Sequence, residues 1–231
     1  MGIKKILNWK AREVVNIYDE VTIWSAPFGR LLLENIPMIG ESKIVDIGFG
    51  TGFPLIELSQ RFGDTSKIYG IDIWKEAINR TREKIDILEL RNIEIIEDSA
   101  TRISIDDQQI DLVTSNLGVN NFEEKEKVYS EIKRILKKGG KLCITTNPIG
   151  TFEELFEVFK LVLTEMDLVE QYMKLKVYVD SRNTEEDIVS ELDSIGLRLI
   201  KVKKDYTNIR FIEGQAVLNH SLIRIGFRES W

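Results

Sequence analysis

The chain has 231 residues, of which 43% are hydrophobic and 30% charged, with a formal net charge of −6. This is the composition of a globular domain with a full-sized core; it argues against a disordered chain and against a broad basic footprint for nucleic acid. The only cysteine, Cys143, rules out an intramolecular disulfide and leaves no cluster of thiolates for a metal, so no metal site is expected.

The first residues, Met1–Leu7, carry charges but no apolar stretch of signal-peptide length. No window approaches the roughly 18 uninterrupted apolar residues of a membrane span, so a cytoplasmic protein is expected. Residues 8–33 carry Trp9, Tyr18, Trp24 and Phe28, an aromatic-rich helical lead-in. Lys43–Ile47 is a short apolar run that ends in a glycine cluster and reads as a buried strand. Phe53–Phe62 follows with helical spacing and is stopped by Gly63. Lys67–Ile71 reads as a second strand, Lys75–Leu90 as a long helix, Ile93–Ile96 as a third strand and Gln109–Ser115 as a fourth. Glu123–Leu136 is a charged amphipathic helix with a solvated face, closed by Lys137-Lys138-Gly139-Gly140, and Lys141–Thr145 is a fifth strand that buries Cys143. Beyond it, Phe152–Leu163 is helical, Lys174–Val179 extended, Thr184–Ile195 a helix ended by Gly196, Leu197–Lys203 a strand by alternation, and Phe211–Phe227 partly helical. No linker or repeat interrupts the chain, which reads as one domain: a helical lid (1–39), a core (40–147), and an insert with pocket and C-terminal elements (148–231).

Alternating apolar strands and helices predict an α/β, Rossmann-like fold, with a mostly parallel sheet covered by helices on both faces. Such sheets bind ligands where strand order reverses, at the carboxyl ends of the strands. Asp46-Ile47-Gly48-Phe49-Gly50-Thr51-Gly52 lies at one such end. Its Gly-x-Gly-x-Gly spacing departs from the dinucleotide pattern, and it lacks the Lys of a P-loop. Asp46 would repel a pyrophosphate and attract an ammonium or a sulfonium. Asp72, next to Ile73 and 20 residues after Gly52, suits the two ribose hydroxyls, or caps the following helix. Asp98, followed by Ser99 and Ala100, suits an adenine amino group or caps a turn, and Asn116 ends the fourth strand beside the expected reaction centre.

Asp46-x-Gly48-x-Gly50-x-Gly52, Asp72, Asp98, Asp111-Leu112-Val113 and Leu136-Lys137-Lys138-Gly139-Gly140 together resemble the class I S-adenosylmethionine-dependent methyltransferases over roughly residues 40–147. Asp111–Asn121 is similar to the ubiquinone/menaquinone C-methyltransferases and their small-molecule relatives. The resemblance implies a seven-stranded sheet with a reversed last strand, S-adenosylmethionine as cofactor, and direct in-line methyl transfer to a small-molecule acceptor. Candidate catalytic residues are His220, the only histidine, as a proton acceptor, and Tyr18 in the lead-in. The structural alternatives are a surface or packed imidazole for His220, and core packing for Tyr18, Trp24 and Phe28 in place of an aromatic lid over a sulfonium. A non-catalytic S-adenosylmethionine-binding protein and a protein or RNA methyltransferase are the competing readings.

Overall fold

The structure, a computed structural model, describes residue 8 and residues 11–226. Trp9, Phe227 and the leader reading of Met1–Leu7 lie outside the described residues. The chain divides into two compact units, one running to Thr146 and including Val202–Arg210, the other Asn147–Lys201 and the chain from Phe211 on.

In the first unit five strands, β1 (Lys43–Ile47), β2 (Lys67–Asp72), β3 (Ile93–Glu97), β4 (Ile110–Asn116) and β5 (Leu136–Thr145), form a sheet in the order β3-β2-β1-β4-β5. Every neighbouring pair is parallel. The central strands are apolar without alternation because both their faces are covered: Ile44, Val45 and Ile47 of β1 and Ile110, Leu112 and Val113 of β4 are all buried. The helices are α1 (Arg12–Glu20), α2 (Ser25–Leu33), α3 (Leu55–Phe62), α4 (Lys75–Ile87) and α5 (Lys125–Ile135). Val128, Tyr129, Ile132 and Ile135 give α5 one buried stripe, and Gly63, with φ 68°, stops α3. Leu32, Leu33 and Ile36 join Ile44, Phe49, Leu55, Leu58, Ile68, Ile78 and Leu112 in one core cluster, so part of the expected lid is also core. Each such side chain contributes about 1.5–3 kcal/mol on burial. From β1 the chain steps outward to β3 and then returns to β4 on the other side of β1. That reversal opens a crevice beyond the carboxyl ends of β1 and β4, the place where such sheets hold ligands.

Four expectations about elements are corrected, three of them in or beside the sheet. Among the described residues the sheet has five strands, and neither the seventh nor a reversed strand is present. Lys137–Gly140 do not close α5. Leu136 is already extended (φ −67°, ψ 131°) and pairs with Ile110. A register shift between Ile110 and Leu112, with φ 81° at Gly139, lets these residues form an irregular start to β5. Among the described residues Leu197–Lys203 joins no strand ladder, and its apolar residues Leu199 and Ile200 are exposed; alternation alone does not make a strand without a ladder partner.

The second unit is helical: α6 (Glu153–Glu165), α7 (Val169–Asp180), α8 (Glu185–Ser194), α9 (Gly214–Asn219) and α10 (Ser221–Gly226). Lys174–Val179, expected to be extended, lies within α7. The valines that suggested a strand are outweighed by α6–α7 packing and by the i,i+4 pair of Lys174 with Glu170 at 2.6 Å. Phe156 is buried edge-on to Phe152 and Tyr178, with the Arg182 guanidinium 5.5 Å from the Phe156 and Tyr178 rings. Thr184 and Asp187 form a reciprocal capping box at the start of α8. Among the described residues no helix is long and apolar enough to cross a membrane.

Candidate cofactor site

The loop from β1 to α3 is held at nearly every peptide. Gly48 N–H donates to Ile71 O at 2.8 Å, Gly50 N–H to Asp72 Oδ2 at 2.7 Å, and Gly52 N–H to Phe49 O at 2.9 Å. The Thr81 hydroxyl donates to Gly50 O at 2.9 Å and Lys84 Nζ to Thr51 O at 2.8 Å. Gly48, Gly50 and Gly52 all have positive φ, at 75°, 55° and 107°. A Cβ at Gly48 would lie 3.1 Å from Gly118 Cα, and one at Gly52 would lie 2.8 Å from Ile56 Cδ1. Gly50 differs: a Cβ there would meet nothing within 4 Å. The protein's own packing does not fill the space over Gly50.

Asp72 closes one side of this loop. Its Oδ1 accepts from Trp74 N–H at 2.8 Å, and burial raises its pKa against the backbone hydrogen bonds of Trp74, Gly50 and Ile73. Beside it Ile73 is 73% exposed. Asp46, in β1, has no exposed surface, so its influence on a ligand is electrostatic rather than by contact at the mouth of the loop. Its Oδ1 accepts from the Thr114 hydroxyl at 2.7 Å, while Oδ2 is buried with no partner. Burial pushes its pKa up to about 7; the Thr114 hydrogen bond opposes the rise and the Asp72 charge adds to it. Two carboxylates held above their ordinary range favour a cation nearby. The orphaned Oδ2 and the open space at Gly50 fit a positively charged nucleoside and are a poor match for a pyrophosphate.

The loop after β3 is also ordered by its own chain. Asp98 is exposed and its Oδ1 accepts from Ser99 N–H at 2.7 Å; Ser99 Oγ accepts from Thr101 N–H at 3.2 Å; Ala100 is half-buried. Asn116 ends β4 with both amide atoms engaged, Nδ2 donating to Ser25 O at 3.1 Å and Oδ1 accepting from the Thr145 hydroxyl at 2.6 Å.

A family model described as a methyltransferase domain matches residues 40–196. The chain belongs to this methyltransferase family. A demethylmenaquinone methyltransferase of Bacillus mycoides is 32% identical over 107 residues, 46% of this chain and 45% of that protein. The chain thus spans about half the length of that curated relative. Another of the same name, from Bacillus cereus, is 25% identical over 171 residues, 70% of this chain and 72% of the relative. The fold is that of a candidate S-adenosylmethionine-dependent methyltransferase of Methanococcus maripaludis, with a TM-score of 0.60 at 23% identity over 84% of this chain and 89% of the other.

In this methyltransferase domain Tyr18, on α1, stands edge-on to Trp74 with centroids 5.3 Å apart. Burial, with the Asp72 charge adding, raises its pKa and keeps it a neutral phenol. The structure therefore brings Tyr18, Asp72 and the glycine loop together. Trp24 packs on Phe28, centroids 5.2 Å apart, within the same unit. His220 belongs to the second unit: its ring lies 5.3 Å from Phe211 and its Nδ1 accepts from Leu222 N–H at 3.2 Å. With Nδ1 so engaged, the proton of a neutral imidazole sits on Nε2. Cys143 is half-buried, and burial raises its thiol pKa. Among the described residues no group of three or more His, Cys, Asp or Glu is placed to hold a metal.

Four residues that brace these loops were not expected from the sequence. Thr81 and Lys84, three apart on one face of α4, hold the glycine loop's carbonyls; Asp19 on α1 accepts from Lys84 and, at 2.9 Å, from Arg80 Nε. Arg134 on α5 hydrogen-bonds Ile103 O, Ile105 O and Asp107 and forms a two-point pair with Glu131, which accepts from Ile103 N–H. It staples the chain leading from β3 to β4. The Glu131-x-x-Arg134 spacing was the only available signal, and it read as a solvated helix face.

Proposed function

We propose that the protein transfers a methyl group from S-adenosylmethionine to a small-molecule acceptor. The observation that carries the reading is the pairing of unfilled space over Gly50 with a buried Asp46 whose Oδ2 has no partner. S-adenosylmethionine supplies a methyl on a positively charged sulfur, an electrophile that needs alignment and dryness more than activation. Asp72 accepts from the ribose hydroxyls, and the exposed Ile73 covers one face of the adenine. Asp98, Ser99 and Ala100 border the purine edge. The glycine loop admits the methionine portion, with Asp46 favouring its positive charge through the interior. Asn116, fixed by Ser25 and Thr145, keeps the end of β4 in place beside the reacting groups. Tyr18 covers the site as a neutral phenol.

The names of the curated relatives support a ring acceptor of the quinol type, and the net charge of −6 supports a small molecule over nucleic acid. A ring carbon or hydroxyl of such an acceptor loses a proton as its new bond to carbon forms. His220 is the proposed recipient: its Nδ1 gives up the Leu222 N–H and takes the acceptor's proton, while Nε2 keeps its own.

The test is incubation with methyl-labelled S-adenosylmethionine and a panel of demethylated naphthoquinols, catechols, bulk RNA and a protein extract. Label in a small aromatic product, matched by S-adenosylhomocysteine, supports the proposal. Label confined to RNA or protein reassigns the acceptor. Binding with no transfer to any acceptor leaves a non-catalytic binder.

A further inference from the structure

Lys84 does more than pair a charge. Its Nζ donates both to Asp19 on α1 and to the Thr51 carbonyl in the glycine loop. Asp19, with 11% of its side chain exposed, also receives Arg80 Nε at 2.9 Å. One turn earlier on α4, Thr81 holds the Gly50 carbonyl at 2.9 Å. Because each peptide is planar, turning the Gly50 carbonyl toward α4 turns the Thr51 N–H the opposite way. The loop's peptide planes are therefore set from α4, one by a hydroxyl and the next by an ammonium shared with α1. Tyr18, beside Asp19, extends the same helix to Trp74, whose N–H is held by Asp72.

We infer that Lys84 is a positioning residue that couples the docking of α1 to the shape of the cofactor loop. If α1 lifts, the ammonium loses its Asp19 partner and the Thr51 carbonyl loses a fixed donor. If the loop is ordered by a ligand, the same bonds hold α1 down. The coupling is reciprocal, as any linkage between two binding events must be. The consequence for binding rests on the proposed S-adenosylmethionine site; the link between α1 and the loop does not.

Hydrogen–deuterium exchange of the full chain, followed by kinetics, tests it with Lys84→Met, Lys84→Arg and Asp19→Asn. Without ligand, Lys84→Met and Asp19→Asn each speed exchange in both 12–20 and 48–54, while the β4 peptide keeps wild-type protection. Lys84→Met then raises the KM for S-adenosylmethionine about 10-fold, the scale of a charge-assisted hydrogen bond, with kcat near wild type. Lys84→Arg, which keeps a donor, restores most of the affinity. If Lys84→Met or Asp19→Asn loosens 12–20 but leaves 48–54 at wild-type protection, the coupling is refuted. Equal losses in kcat and uniform loosening of the sheet would refute it too, as simple destabilisation. A wild-type protein that does not bind S-adenosylmethionine counts against the proposed function, and the ligand-free exchange still decides the coupling.

Discussion

Asp46→Asn isolates the electrostatics on which the site depends. In the wild-type protein Asp46 has its folded pKa raised from 3.8 to about 7, chiefly by burial. A raised carboxylate pKa means that the folded state holds a proton the unfolded chain has already released. The group's contribution is therefore fully present below the unfolded value and is lost as pH rises through the folded one. At about 1.4 kcal/mol for each pH unit the whole effect is about 4 kcal/mol, of which about 2–3 kcal/mol falls between about pH 5 and about pH 8. Asp72, also raised by burial, adds in the same direction, while Asp19, Asp111 and Glu131 are lowered and lose their contributions only at more acid pH. Asn retains an oxygen for the Thr114 hydroxyl and cannot ionise. Urea denaturation of both proteins at the two pH values measures the difference. The wild type loses about 2–3 kcal/mol more than the variant on going to the higher pH, so their stabilities converge or cross there. Equal slopes for wild type and Asp46→Asn would refute the buried, unpartnered carboxylate.

Gly50→Ala costs only about 1 kcal/mol of stability for a non-glycine residue at φ 55°, since its Cβ meets nothing, but it fills the approach to the loop and abolishes S-adenosylmethionine binding; thermal melts and calorimetry separate the two effects. Gly29→Ala places a Cβ 2.1 Å from Phe53 Cε1 and lowers stability by about 1–3 kcal/mol in chemical denaturation. Arg134→Ala frees the 98–109 segment, costs about 2 kcal/mol, and shows in hydrogen exchange as lost protection there with the glycine loop unchanged. His220→Ala lowers kcat, while S-adenosylmethionine affinity stays at the wild-type value; an unaltered kcat removes His220 from the proton transfer.

Much of the first unit was readable because its signals are local. Lys43–Ile47 and Gln109–Ser115 are apolar runs with no alternation, which only a sheet covered on both faces requires, and both became central strands. Gly48, Gly50, Gly52 and Asp72 stand where strand meets helix, so spacing alone placed them at the crevice. What escaped depends on tertiary contact. Lys84, Asp19 and Thr81 look like any charged or polar residues of exposed helices until α1, α4 and the loop are packed together. Leu136 was assigned to α5 by hydrophobic spacing, but pairing with Ile110 draws it into β5. Lys174–Val179 has the β-branched content of a strand and became helix because α6 offers a packing face, whereas Leu197–Lys203 has the alternation of a strand but no ladder. The burial of Asp46 was not legible either: its neighbours in β1 suggested it, but the glycine cluster after it suggested a mouth.

Calorimetric titration of the purified protein with S-adenosylmethionine, with NAD in parallel and with Asp72→Ala as the variant, tests the central claim most directly. S-adenosylmethionine alone binds at micromolar affinity, weakened at least about 10-fold in Asp72→Ala, which loses the acceptor for the ribose hydroxyls. A folded wild-type protein that binds NAD, or that binds S-adenosylmethionine equally well without the Asp72 carboxylate, would contradict it.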